Sequence, residues 1–260
     1  MVKDSVVRAI YFSPTGTTQR IVEEITTCFS GVKERADFPK NPLEEEMIVF
    51  TENELAIFGM PVYSGRIPGI AEGMLQKVKG KETPAIIIVS YGNREYDDAL
   101  LELKNIVEAN GFLVIGAGAF ISEHAIFPVV GKGRPDEEDK QKIKDFAAEC
   151  ATKLNFFSPK SHESIQVKGN FPYREAAVIP LKPSGDERCN HCGHCVSVCP
   201  VKAISQTEPR ETNESLCISC CACIAACPQK ARGFFGPAYL AGEKMFAANY
   251  SEPKEPDIFF

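Results

Sequence analysis

Several things are scarce in this 260-residue sequence, and each absence removes a class of function. No stretch approaches 18 apolar residues, so no bilayer-spanning helix is expected. Residues 1–12 lack a basic segment followed by a long apolar one, so no signal peptide is expected there. Positive charge is not in excess: 29 Lys and Arg stand against 35 Asp and Glu, a formal net charge of −6. Nucleic acid and anionic membranes favour basic patches, so neither is expected as a partner. No Gly-Lys-Ser/Thr Walker loop and no G-x-G-x-x-G dinucleotide turn occurs. What remains is a soluble globular composition, long enough for one large domain or two smaller ones.

Cysteine, by contrast, is plentiful. Eight of eleven fall in two copies of one pattern, Cys189-x-x-Cys192-x-x-Cys195-x-x-x-Cys199-Pro200 and Cys217-x-x-Cys220-x-x-Cys223-x-x-x-Cys227-Pro228. Thiolates at such short spacings suit iron–sulfur clusters. A disulfide framework would need an oxidising compartment, and zinc sites would not interleave two such runs. Residues 180–232 resemble the two-[4Fe–4S] bacterial ferredoxins, in which the fourth Cys of each run ligates the other cluster. The resemblance implies that Cys189, Cys192, Cys195 and Cys227 hold cluster 1, and that Cys199, Cys217, Cys220 and Cys223 hold cluster 2. Cys221 breaks the repeat and reads as a spectator thiol packed beside cluster 2, a swapped ligand being the alternative.

The first half of the chain alternates strands and helices. Residues 6–12 are nearly all apolar, as in a buried parallel strand. Ser13-Pro14-Thr15-Gly16-Thr17-Thr18 follows. Then Ile21, Val22, Ile25, Cys28 and Phe29 recur at helical spacing. A strand, small hydroxyls and a helix N-terminus make an anion site that needs no Lys or Arg. Further strands are expected at residues 34–38, 55–60, 84–90 and 112–121. Helices are expected at 70–78, from about Asp98 to Gly111, and at 136–157. Residues 39–54 read as an acidic crossover touching the core at 47–50. Such alternation gives a doubly wound parallel sheet.

Two more loops follow strand ends, where such folds bind ligands. In Pro61-Val62-Tyr63-Ser64-Gly65-Arg66, Tyr63 can lie against a flat ring and Gly65 admits close backbone approach. Ser90-Tyr91-Gly92-Asn93-Arg94 follows the fourth strand. Each loop alone is also an ordinary turn. Together, in order, they resemble the phosphate and ring loops of flavodoxins, over residues 4–157. That resemblance implies FMN held by Ser13, Thr15, Gly16, Thr17 and Thr18 at the phosphate, Pro61, Val62, Tyr63, Ser64 and Gly65 at the ring, and Ser90, Tyr91, Gly92 and Asn93 at its pyrimidine edge. His124, after the fifth strand, reads as a surface residue or as a flavin contact. Cys28 and Cys150 lie on apolar helix faces and read as buried structural thiols.

The expected organisation is an α/β flavodoxin-like domain with a five-stranded doubly wound parallel sheet (1–157), a Pro-, Ser- and Lys-rich linker (158–183), a small α+β bacterial ferredoxin domain (184–232), and an aromatic tail (233–260) packing at the domain junction. The whole resembles the iron–sulfur flavoproteins of anaerobes. It implies FMN and two [4Fe–4S] clusters as cofactors, a reducing cytoplasmic setting, and electron transfer with a redox partner protein or small acceptor; a homodimer stays open. One alternative is an FMN-dependent reductase of a quinone or nitro compound fed by the clusters. Another is a cluster-bearing sensor or adaptor whose flavodoxin-like domain is empty. The missing NAD(P)H fingerprint favours a carrier over a dedicated catalyst.

Overall fold

The computed structural model describes residues 6–30, 33–37 and 47–260. The apolar run opens the chain as β1 (Val7–Tyr11), with four of its five residues buried. Helices cover both faces of a parallel sheet, so its strands are apolar throughout rather than alternating. α1 (Thr17–Thr27) buries Ile21, Val22 and Ile25 on one side. Cys28 departs from the expected buried thiol: it caps the C-terminus of α1 and is exposed. Phe29, one residue further on, takes the inward place instead. β2 (Lys33–Asp37) follows, and the last residue of the expected strand, Phe38, lies outside the described residues.

The crossover contributes β3 (Ile48–Val49), and the chain then enters β4 (Leu55–Pro61), buried at six successive positions. α2 (Gly69–Leu75) is shorter than the apolar pattern implies. Its expected last turn is instead β5 (Val78–Lys79), paired with β3 in parallel, Ile48 opposite Val78. The amide of Phe50 donates to the Lys79 carbonyl at 2.8 Å, and Phe50 and Val78 are both fully buried. Strand alternation accounts for the neighbours: Met47 and Val49 point outward and are exposed. β6 (Thr83–Tyr91) is buried along its whole length.

α3 (Ala99–Ala109) ends at Gly111, whose φ of 89° only glycine adopts freely. β7 (Phe112–Ile121) passes so close to the last large helix that a Cβ on Gly116 would meet Cys150 Sγ at 2.5 Å. That helix, α4 (Glu137–Asn155), starts with a reciprocal cap between Asp136 and Asp139. It buries Cys150 completely.

Between residues 184 and 233 the regular elements are very short: β8 (Ser184–Gly185), α5 (His194–Ser197), α6 (Ala222–Ala225) and β9 (Arg232–Gly233), with β8 and β9 paired antiparallel. α7 (Pro237–Tyr250) and β10 (Asp257–Phe259) close the chain.

The main sheet runs β10-β7-β6-β4-β1-β2. Its five parallel strands have the order 2-1-3-4-5, the flavodoxin-like doubly wound arrangement. The five expected strands are therefore joined by a sixth. β10 adds antiparallel to β7, Ile258 opposite Gly118, and makes the sheet mixed. An otherwise open edge is thereby covered. Two apolar layers flank the sheet. One lies under α2 and α3 around Phe58, Met60 and Leu100. The other lies under α1 and α4 around Val22, Ile88 and Phe146.

Residues 158–183 carry only one short 3-10 turn (Pro159–Ser161) but are tied down along α3. The buried Asp98 carboxylate accepts from the backbone N–H groups of Asn170 at 2.8 Å and Arg174 at 2.7 Å.

Candidate functional site

The Ser13–Thr18 loop is built to leave donors free. Gly16 takes φ 81° and turns the chain into α1, whose first N–H groups have no intrahelical partners. Ser13 closes the turn: its carbonyl accepts from the Gly16 N–H at 3.1 Å, and its Oγ from the Gln19 N–H at 2.9 Å. The Thr18 and Ser90 hydroxyls are 2.7 Å apart, which locks the loop to the end of β6. The loop's residue types alone called for no cation here, yet Arg20 supplies one, its guanidinium donating to Thr17 Oγ1 at 3.1 Å. Its i,i+3 spacing from Thr17 was the available signal.

After β4 the chain makes a two-residue reversal. Tyr63 and Arg66 exchange N–H···O bonds at 2.8 and 3.1 Å, with Ser64 at φ 53° and Gly65 at φ 84°. Positive φ at both central positions is the type I′ turn. A Cβ on Gly65 would strike the Asp97 carboxylate at 2.3 Å. Arg66 anchors the turn with a fork onto Glu102, at 2.8 and 2.6 Å. The Tyr63 ring is thus carried on a rigid stem. Burial holds its phenol well above the ordinary value, and the neighbouring Cys220, Cys221 and Cys217 add to the rise.

The third loop differs in use. Gly92 lies against His124: a Cβ on this glycine would meet the imidazole Cδ2 at 2.6 Å. Asn93 is buried, and its side chain is committed to the tail. Nδ2 donates to the Tyr250 and Glu252 carbonyls at 2.6 and 2.8 Å, and Oδ1 accepts from the Lys254 N–H at 3.2 Å. Tyr91 is buried edge-on against Tyr96.

A cavity of about 480 Å³ lies where these loops meet, within the range of small-molecule sites. Thr15, Thr17, Thr18, Pro61, Val62, Tyr63, Ser64, Ser90 and Gly92 line it. Ser13, Gly16, Gly65, Tyr91 and Asn93 do not reach its wall; the first three shape the loops that do. Three walls were not apparent in the sequence. Residues 177–181 form one, Phe246 and Met245 of α7 another, and Ser219 with Cys220 a third. His124 lines the cavity as well. Its Nδ1 accepts from the Phe127 and Ile126 N–H groups at 3.0 and 3.2 Å, so the neutral ring carries its proton on Nε2. Burial, then the Arg94 charge, lowers its pKa to about 4. The ring is stacked on Phe127 and meets Phe246 edge-on.

The cysteine loops repeat in backbone as well as in sequence. His191 and Ser219, Gly193 and Cys221, and Lys202 and Lys230 all have positive φ, and each pair is 28 residues apart. Gly193 and Cys221 both start a four-residue helix from the left-handed region, at φ 78° and 62°. Cys221 therefore stands where the first loop has a glycine. Its side chain is buried with Ile126 and Phe127.

The N–H groups of Ala203 and Ala231 donate to Cys199 and Cys227 Sγ, both at 3.2 Å. Cys189, Cys192, Cys195 and Cys227 line one small hollow. Cys199, Cys217, Cys220 and Cys223 line another, together with Cys221. Among the described residues no three His, Cys, Asp or Glu side chains sit close enough to hold a single metal ion. Burial pushes the Cys220 thiol up to about 12 and raises that of Cys223. A thiolate there needs a cation beside it, which iron supplies on coordination. Burial would raise Cys227 also, but N–H groups from Ala231, Arg232 and Gln229 hold it below its ordinary value.

The two regions share one apolar junction. Ile126 and Phe127 from the β7–α4 loop, Ile179 and Leu181 from the linker, Cys221 and Ile224 from the second cysteine loop, and Tyr239 and Phe246 from α7 pack together. Ser219 Oγ donates to the Leu181 carbonyl at 2.8 Å. Among the described residues no helix is long and apolar enough to cross a membrane.

Residues 184–228 match the 4Fe-4S dicluster domain family. A curated relative, NADH-quinone oxidoreductase subunit I 2 of Syntrophobacter fumaroxidans, is 46% identical over 59 residues, which is 22% of this chain. The chain spans about a third, 33%, of that relative's length. Among solved structures, the flavodoxin of Streptococcus pneumoniae superposes with a TM-score of 0.41 at 14% identity, over 57% of this chain and 99% of its own. The two-electron reduced flavodoxin of Megasphaera elsdenii gives 0.37 at 20% identity, over 55% and 98%. The fold itself is defined by the 2-1-3-4-5 strand order. The chain is a fusion of a flavodoxin-like α/β domain with a 4Fe-4S dicluster ferredoxin domain.

Proposed function

We propose that this chain is an electron-transfer iron–sulfur flavoprotein, with FMN in the 480 Å³ cavity and one [4Fe–4S] cluster in each cysteine-lined hollow. One observation carries the reading: Cys220, a ligand candidate of the second hollow, also forms a wall of the cavity lined by Thr15, Thr17 and Tyr63. FMN exchanges one or two electrons and a [4Fe–4S] cluster one, so together they join two-electron to one-electron chemistry. The domain boundaries proposed are 1–157, 158–183, 184–232 and 233–260.

The chain's own residues have separable tasks. Thr15, Thr17 and the first N–H groups of α1 bind a phosphate, with Arg20 adding charge. Tyr63, on its fixed turn, orients the ring. His124 presents a single N–H from Nε2 in the neutral state. Phe246, Ile179 and Leu181, packed together at the junction, exclude water from the cavity wall they form. Cys189, Cys192, Cys195 and Cys227 hold cluster 1; Cys199, Cys217, Cys220 and Cys223 hold cluster 2. The electron-transfer role fits the relative that is named an NADH-quinone oxidoreductase subunit, and it requires an external redox partner; the setting we propose is reducing and cytoplasmic.

A second reading, reduction of a small apolar acceptor at the flavin, is favoured by the exposed Val178 and Met245 on the cavity wall. Anaerobic purification tests the first. The expected product carries about one FMN and about eight irons per chain, and its flavin is reduced through the clusters by a one-electron donor. Protein with iron but no flavin, even after reconstitution, overturns it and leaves a cluster-bearing adaptor. Turnover of quinones or nitro compounds without a partner protein establishes the second reading instead.

A further inference from the structure

Arg232 is buried to 4% exposure, which is rare for an arginine without a paired carboxylate. Its partners are neutral. One terminal nitrogen donates to the Pro209 carbonyl at 2.5 Å. The other donates to the Pro183 carbonyl at 2.9 Å and to the Thr212 hydroxyl. Its Nε–H is buried with no partner at all. The residue connects the linings of both cysteine sets. It lines the hollow of Cys189, Cys192, Cys195 and Cys227. Two of its acceptors, the Pro183 carbonyl and the Thr212 hydroxyl, belong to residues that line the hollow of Cys199, Cys217, Cys220 and Cys223. Carbonyls and a hydroxyl thus fix a guanidinium between the two cysteine sets, with one donor left over.

We propose that Arg232 is the shared counter-ion of the two clusters and sets both reduction potentials, its free Nε–H donating to cluster sulfur. This rests on the cluster reading above. Each cluster gains one negative charge when it takes one electron from an external donor. A fixed buried cation favours that state, and net charge and hydrogen bonds to sulfur are what set cluster potentials. No proton or bond change is needed. Arg232 positions charge and is not a catalytic residue.

The test compares wild type, R232Q and R232K, purified anaerobically as the full chain, by iron analysis and by redox titration followed with electron paramagnetic resonance. With iron retained, R232Q is expected to lower the reduced-to-oxidised ratio of both clusters about tenfold at the wild-type midpoints, a shift of about 59 mV for a one-electron couple. R232K keeps the charge but loses the fork, and it should lower both ratios by a smaller factor, at least twofold. Unmoved midpoints in R232Q overturn the proposal. A shift of one cluster alone overturns the shared role. Should R232Q lose iron, R232K decides: both midpoints lowered upholds the role, and both unmoved refutes it. Wild type without clusters would instead sink the functional reading on which this one stands.

Discussion

The two halves of this molecule hold their functional loops in opposite ways. In the α/β half, each loop hangs from the end of a largely buried strand, and hydrogen bonds such as Thr18 to Ser90 set its shape. In the cysteine half, the regular elements are two helices of four residues and one two-residue strand pair. Its own buried cluster is Cys195, Ile204 and Cys223. So little apolar surface does not fold a domain of that size alone. On the proposed reading, the first half is stable before any cofactor arrives, while the second draws folding energy from bound iron.

The largest effect should come from taking a ligand from the second half. Cys220→Ala is expected to lose one cluster, about four irons of about eight by metal analysis, while the far-ultraviolet signal of the α/β half persists. Loss of both would show the hollows to be one cooperative unit; full iron would contradict the ligand assignment. Next is Gly92→Ala in the first half, which forces a methyl into His124, its backbone Cα at 2.8 Å included. Overpacking of this kind costs about 1–3 kcal/mol. If the loop yields instead, FMN affinity should fall about tenfold, measured by fluorescence titration.

Asn93→Ala tests whether the tail is held from the α/β side. It removes three hydrogen bonds and leaves the Tyr250 and Glu252 carbonyls without their donor. A cost of about 2 kcal/mol is expected, read as a fall of roughly 4–8 °C in Tm. No change would mean that β10 and the apolar junction alone hold the tail.

His124 gives a smaller, pH-dependent effect. Its folded pKa of about 4 lies below its unfolded value of about 6.5. The unfolded chain therefore binds more protons, and the stability from this site, complete above about pH 6.5, is lost as pH falls toward 4. The groups facing the ring are Arg94, whose charge adds to the lowering, and the uncharged Phe127 and Phe246. Between pH 7 and 5.5, His124→Gln should lose less Tm than wild type. Parallel declines would refute this. Smallest of all should be Cys221→Ala, with iron content unchanged; a loss of iron would mark Cys221 as a ligand.

Much of this was legible from residue types alone. The strand at Phe112–Ile121 was marked by its apolar run, and the cysteine repeat fixed the local backbone so firmly that its left-handed residues recur at the same 28-residue interval. What could not be read depends on partners remote in sequence. β5 replaces the last turn of α2 because Ile48 offers a strand to pair with. β10 pairs with β7 from far along the chain, Ile258 opposite Gly118, and no local pattern encodes that. The same tail occupies Asn93, whose loop alone looks free to face a ligand. Cys28 followed the helical period but is exposed, and Phe29 beside it is the residue that turns inward.

The central claim is that Cys220 brings the second cluster to the wall of the flavin cavity. Flash photoreduction of the bound flavin, with flavin and cluster absorbance followed together, tests it most directly. The account predicts first-order flavin reoxidation matched by cluster bleaching, at a rate independent of protein concentration and lost in Cys220→Ala. A rate that scales with protein concentration, or a flavin that stays reduced beside oxidised clusters of higher potential, would contradict it.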